Sequence, residues 1–184
     1  MTVQINTVSF LGIEVRDIEV QVQLSNGLPA FNIVGLPDKA VAESRERVRA
    51  ALTAIGLALP PKRITVNLAP ADLQKEGSHF DLPIAMGVLS AMDIIPANEL
   101  INYVALGELA LDGTIRGVNG VLPTALQAHT NDNGIICPAS QGPEAAWVKG
   151  LDIIAPSSLL ALINHINGKQ ILTPPKPGIN KQEN

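Results

Sequence analysis

Between Val15 and Leu24 the apolar residues Val15, Ile18, Val20, Val22 and Leu24 alternate with polar partners over most of the run, the period of a half-buried strand. VSFLG before it and FNIVGL after it are also rich in β-branched residues, so the amino-terminal third is predicted to be antiparallel sheet, with Asn26-Gly27 as a turn between the second and third strands. The period then lengthens. In DKAVAESRERVRAALTAIG, Val41, Val48, Leu52 and Ile55 line one helical face, Asp38 is the candidate N-cap and Gly56 the candidate C-cap, and Glu43 and Arg47 form an i,i+4 pair on another face. Pro60-Pro61 separates this helix from a strand, RITVNLAP.

Helical spacing returns from Phe80 to Met92. VALGELALDGTIRGV predicts a hairpin turning at Asp112-Gly113, and GVLPTALQAHTN a further helix. GIICPAS and LDIIAPSS each resemble a short buried strand ending at a proline, the second followed by the helix SLLALINHI. This αβαβα order predicts parallel pairing. The fold class expected is α+β, with an α/β-like second half.

A chain of 184 residues supports one sizeable core, and with 46% hydrophobic and 16% charged residues most of it should fold. Residues 1–169 are expected to form one domain. From 170 to 184 the sequence has prolines, lysines and no period, which predicts a flexible linker. No apolar run approaches the roughly 20 residues of a membrane span, and the first residues lack the pattern of a secretory signal, so the expectation is a cytoplasmic protein without membrane contact. Cys137 stands alone in an apolar segment, a core thiol rather than a nucleophile or a zinc ligand.

A net charge of −4 argues against a domain whose main task is gripping phosphate backbones, and 3% aromatic residues are too few for a stacking platform. Local charge differs: residues 38–63 hold Lys39, Arg45, Arg47, Arg49, Lys62 and Arg63 against Asp38, Glu43 and Glu46. That segment reads as an amphipathic helix with a solvated face, or as a surface for phosphate or a partner.

The stretch that most resembles chemistry is KEGSHFDLP, residues 75–83. One reading is structural: Gly77 permits a turn, Ser78 caps the helix, and Asp81 completes a Ser-x-x-acid box at the positive end of the helix dipole. The other is catalytic, and needs a base beside the Ser78 hydroxyl and donors for an oxyanion. The candidate bases are His79, His129, His165 and several lysines, none in a nucleophile-elbow pattern. The histidines are isolated, so no metal site is expected. Gly168-Lys169 lacks the glycine spacing and the hydroxyl of a Walker A loop, so this chain is not expected to hydrolyse ATP.

Taken in order, GLPDKAVAESRERVRAAL, NLAPADLQKEGSHFDLPIAMGVL and GELALDGTIRGVNGVLPTAL resemble the amino-terminal domain of the magnesium-chelatase-like ATPases of the YifB/ComM family, over roughly residues 1–170. The resemblance implies a domain similar to the proteolytic domain of Lon, with the fold of ribosomal protein S-five domain 2, preceding an AAA+ ATPase module that would carry ATP and Mg. ComM-like relatives are hexameric helicases that promote branch migration in natural transformation. The implied partners are therefore the chain's own AAA+ domain, further copies in a homo-hexamer, and DNA.

The same resemblance bears on KEGSH. Laid on the Lon serine loop, Lys75, Glu76 and Gly77 fall in register, Ser78 falls at a proline and His79 at the nucleophile, while Leu122 falls where Lon carries its catalytic lysine. Both members of the dyad are replaced, which implies a non-catalytic module that supports ring assembly and DNA handling. Arg45, Arg47, Arg49, Lys62, Arg63 and Lys75 are the candidates for contact with phosphate. The rivals are a serine peptidase with a rearranged dyad of Ser78 and Lys75, and a module that binds a protein or ligand in the former active-site groove.

Overall fold

The structure, a computed structural model, describes residues 2–178. Strands β1 (Thr2–Leu11) and β2 (Glu14–Ser25) pair antiparallel in register from Thr2↔Gln23 to Leu11↔Glu14, so Gly12 and Ile13 alone turn the hairpin. After β3 (Ala30–Val34) come α1 (Asp38–Ala54), β4 (Arg63–Ala69) and α2 (Asp81–Ala91). The second half runs through β5 (Tyr103–Ala105), the small hairpin of β6 (Glu108–Leu109) and β7 (Ile115–Arg116), α3 (Val121–Thr130), β8 (Gly134–Ile136), α4 (Gly142–Ala145), β9 (Ile153–Ile154) and α5 (Leu159–Ile166).

Apart from the separate β6–β7 hairpin, these strands form a seven-stranded mixed sheet in the order β3-β4-β2-β1-β5-β8-β9. Pairing is antiparallel for β1 with β2 and β2 with β4, and parallel for β3 with β4 and from β1 through β5 and β8 to β9. The fold is thus mixed α/β with a largely parallel second half. Asn26-Gly27 does not close a hairpin: β4 inserts between β2 and β3, and β3 pairs with it in parallel. A parallel pair needs a crossover, which α1 supplies.

Strand parity explains the two halves. Val3, Ile5, Val20, Val22, Ile64, Val66 and Leu68 face one core with Val48 and Leu52 of α1 and most of α2. Val8, of opposite parity to Ile5, lies instead with Val104 and Ala128 of α3 on the other face. Ile135 and Ile136 divide in the same way, so the parallel half is covered on both faces. The antiparallel half is covered on one, and its other face carries Gln21, Gln23, Thr65 and Asn67, with Asn67 Nδ2 donating to Gln21 Oε1 at 3.1 Å.

Helix α1 ends as its sequence implies, though one residue is displaced at each end. Pro37 takes the N-cap position and Asp38 the first turn; Ile55 is the C-cap, and Gly56 follows it at φ +83°. The Gly56 amide donates to the Thr53 carbonyl at 3.0 Å and the Leu57 amide to the Leu52 carbonyl at 2.9 Å, the paired bonds of a Schellman motif. Helix α2 is buried from Asp81 to Ser90, sandwiched between the sheet and α1, which matches its all-round apolar sequence. Residues 170–178 of the expected linker have no regular secondary structure but are bonded to Asn164, His165 and Pro143; residues 179–184 lie outside the described residues.

Gly87 marks how closely α2 sits on the sheet, because a Cβ there would fall 2.5 Å from Val22 Cγ2, itself fully buried. Gly87→Ala is expected to destabilise the domain by about 1–3 kcal/mol in urea unfolding, overriding the gain of about 1 kcal/mol in helix propensity.

Candidate functional site

The amino-terminal end of α2 is built around one carboxylate. Asp81, 1% exposed, accepts from Arg47 Nε at 2.6 Å and Nη2 at 3.1 Å, from the Ser44 hydroxyl at 2.8 Å and from the Leu109 amide at 3.1 Å. Ser44 and Arg47 stand one helical turn apart on α1, while Leu109 belongs to the β6–β7 hairpin. The carboxylate therefore ties three elements together. Burial is the largest influence on Asp81 and raises its pKa, whereas the bond to Asp81 is the largest influence on Arg47 and raises that one too. The first disfavours the ion pair and the second favours it; bidentate geometry with two further donors makes the ionised pair the state at neutral pH.

This arrangement replaces the expected capping box. Phe80 occupies the N-cap position of α2, no side chain caps the helix, and Ser78 contributes only its carbonyl, which accepts from the Asp81 amide at 3.3 Å. Asp81 is turned away from its own helix end because a half-buried guanidinium and two other donors compete for it. Ser78 is half-buried and borders two depressions, one of them on the α1 side beside Glu43, Ser44 and Arg47.

The other depression is a groove of about 780 Å³, within the range of about 300–1,000 Å³ typical of ligand sites. One wall is the tip of the β1–β2 hairpin with Phe10, Gly12 and Ile13; the floor is Glu76 to His79; the far wall is Gly117 to Gly120 with Pro123 at the start of α3. Gly120, the N-cap of α3, has φ +91°, and a Cβ there would stand 2.3 Å from the Phe10 ring. Only glycine meets both demands. Ile13 is fully exposed at the lip.

His79, 4% exposed, is fixed within this floor. Its Nε2 lies 2.7 Å from the Val8 carbonyl oxygen, which can only accept, so Nε2 carries the proton and Nδ1 the lone pair. Its ring packs against Phe10 and Phe80 at centroid distances of 5.3 and 4.1 Å, and burial lowers its pKa. Lys75 does not border the groove: it is buried, its amine donates to the Leu73 carbonyl at 2.9 Å, and burial lowers its pKa. Leu122 packs against the apolar cluster of Val121, Ala125, Ile135 and Cys137. The structure thus brings Ser78 and His79 to one groove and sets Lys75 and the Leu122 side chain apart from it.

The other candidates disperse. His165 Nδ1 accepts from the Leu172 amide at 2.9 Å, and His129 lines a separate depression at the amino-terminal ends of β5 and β8. Burial pushes the Cys137 thiol up to about 12, as a core thiol requires. Among the described residues no group of three His, Cys, Asp or Glu side chains could hold a metal ion, and no helix is long and apolar enough to cross a membrane. Of the six basic candidates, Arg47 is held by Asp81 and Lys75 by Leu73. Arg45 reaches the Phe31 carbonyl at 3.4 Å, while Arg49 and Lys62 line one shallow depression with Phe31 and Pro60. Arg63 is exposed on the adjoining strand.

Sequence reasoning missed the Asp81–Arg47 pair and the groove's far wall. A signal existed for the wall: Gly-Val-Asn-Gly between a hairpin and a helix marks a loop of unusual backbone. None existed for the pair, whose members are 34 residues apart.

A mixed sheet with a glycine-walled groove at the end of β1, and a charged lock beneath the loop that floors it, defines the class of domain. The chain belongs to the family described as Subunit ChlI of Mg-chelatase, whose model matches residues 20–141, from β2 through the groove loops to the start of α4. It is similar to Competence protein ComM of Haemophilus influenzae, 43% identical over 162 residues that make up 88% of this chain and 32% of that protein. It is also similar to the uncharacterized protein YifB of Escherichia coli, 41% identical over 173 residues, 94% of this chain and 34% of that protein. The chain spans about one third of the length of these relatives.

Asp81→Ala leaves Arg47, Ser44 and the Leu109 amide without their shared acceptor. The expected loss is about 3 kcal/mol in urea unfolding, the low end for breaking a buried pair because Arg47 keeps partial access to solvent. A loss below about 1 kcal/mol would show that the pair does not hold α1 and α2 together.

Proposed function

We propose that this chain is a non-catalytic, Lon-like amino-terminal module of a ComM-like AAA+ ATPase, with the fold of ribosomal protein S-five domain 2, and that it supports ring assembly and the handling of DNA. On this reading ATP and Mg are bound by the ATPase portion of the longer protein, and the working state is a homo-hexamer. The observation that carries the proposal is the fate of the groups at the groove. Ser78 borders it without a lysine amine beside it among the groove-lining residues, the His79 Nε2 proton is committed to Val8, and Leu122 turns its isobutyl group into the core. An acyl transfer needs a base bonded to the hydroxyl; among the described residues the Ser78 hydroxyl has no hydrogen bond to the His79 Nδ1 lone pair, and the Lys75 amine donates to the Leu73 carbonyl instead.

DNA handling then rests on phosphate binding. Arg49 and Lys62 share one exposed depression, with Arg63 on the strand that follows, so they are the residues assigned to it; Arg47 and Lys75 have structural partners instead. The competence name carried by the Haemophilus influenzae relative supports placing the function in natural transformation.

In the full-length protein, Arg49→Glu with Lys62→Glu is expected to weaken DNA binding and to flatten the dependence of log K on log salt by about 1–2 units, near 0.9 for each phosphate no longer neutralised. An unchanged slope would show that this domain does not touch DNA through these residues. Independently, a serine-directed covalent probe is expected to leave Ser78 unlabelled. Labelling that disappears in Ser78→Ala would overturn the non-catalytic reading in favour of the rearranged peptidase dyad.

A further inference from the structure

We infer that the surface of α4 around Trp147 is a binding site for a proline-rich segment, and that the chain fills it with its own residues 173–178, TPPKPG, as an intramolecular strap. The inference goes beyond the proposed function and does not depend on it.

The strap is anchored at intervals from one face of the sheet to the other. The Gln170 amide donates to the Asn164 carbonyl at 3.2 Å and the Leu172 amide to His165 Nδ1 at 2.9 Å, both on α5, and Leu172 packs on the main core. Further on, the Trp147 indole Nε1 donates to the Gly178 carbonyl at 3.0 Å, and the Gly178 amide donates back to the Pro143 carbonyl at 3.2 Å. Helix α5 packs on the core that holds α2, whereas α4 packs on the opposite cluster, so the segment changes faces on the β9 side of the sheet.

The chemistry is that of proline-rich recognition. Pro174, Pro175 and Pro177 restrict the backbone to extended conformations, so little entropy is lost on docking, and an indole N–H takes one of the carbonyls that such a segment cannot satisfy internally. The receiving surface is shaped for it. At Gly142, the first residue of α4, a Cβ would stand 2.8 Å from Ala155 Cβ and 3.0 Å from Pro175 Cβ. A side chain there would press on Ala155 and on the strap together. The strap also lies on the side of the sheet that ends in a two-residue strand, β9, where an open edge would otherwise invite pairing with another chain.

Trp147 is the single tryptophan of the chain, so its indole N–H gives one identifiable NMR cross-peak. Replacing Pro174, Pro175 and Pro177 together by serine in the whole chain is expected to move that peak towards the position of a free indole and to raise its hydrogen-exchange rate about fivefold. Gly142→Val, acting from the receiving side, is expected to move the peak in the same direction. A synthetic peptide of residues 171–178 added at millimolar concentration to the triple variant should return it towards its original position. A peak unmoved by the triple substitution, or one that the peptide does not restore, would overturn the inference.

Discussion

Asp81 sits where three separately formed elements must agree. Its helix is apolar on every side and has no polar face with which to choose an orientation, so hydrophobic burial alone would tolerate rotation or sliding of α2 between the sheet and α1. One buried carboxylate with four donors, from Arg47, Ser44 and Leu109, removes that freedom: any other placement strands a charge or several hydrogen-bonding groups in the core. Net stability is not the main product of such a pair, since desolvation offsets much of the Coulomb attraction. What it fixes is register, and the position of the loop that enters α2 follows from it.

That loop is the floor of the groove, and two of its side chains are held by contacts to the rest of the chain. His79 is clamped by the Val8 carbonyl and two phenylalanine rings, and Lys75 is folded back on Leu73. The groove walls are different: Gly12, Gly77, Gly117 and Gly120 expose backbone, and Ile13 stands free at the rim. Much of the surface that remains is one of shape and exposed backbone.

The tail is fixed by equally few groups. A segment with no secondary structure of its own is held through two ring nitrogens, two chain carbonyls and a glycine that leaves room for a proline. Composition marks these residues as a linker, because proline and lysine without a period carry no sign of a partner. That partner is a helix of four residues, too short to register as an amphipathic pattern.

The chain by itself determined what depends on neighbours in sequence. Alternation set the faces of β2, the 3.6 period set α1 with Val48 and Leu52 inward, Gly56 set where α1 stops, and Asp112-Gly113 set the small hairpin; the parallel pairing of the second half followed from element order. The tertiary structure decided what depends on distant residues: β4 between β2 and β3, Asp81 bound to Arg47 rather than to its own helix end, and the His79 ring bonded to the Val8 carbonyl. Local propensities are encoded within a few residues and can be read there, whereas strand order and buried charge pairing are settled by the cost of leaving backbone and ionised groups unsatisfied, and that cost exists only once the whole core has closed.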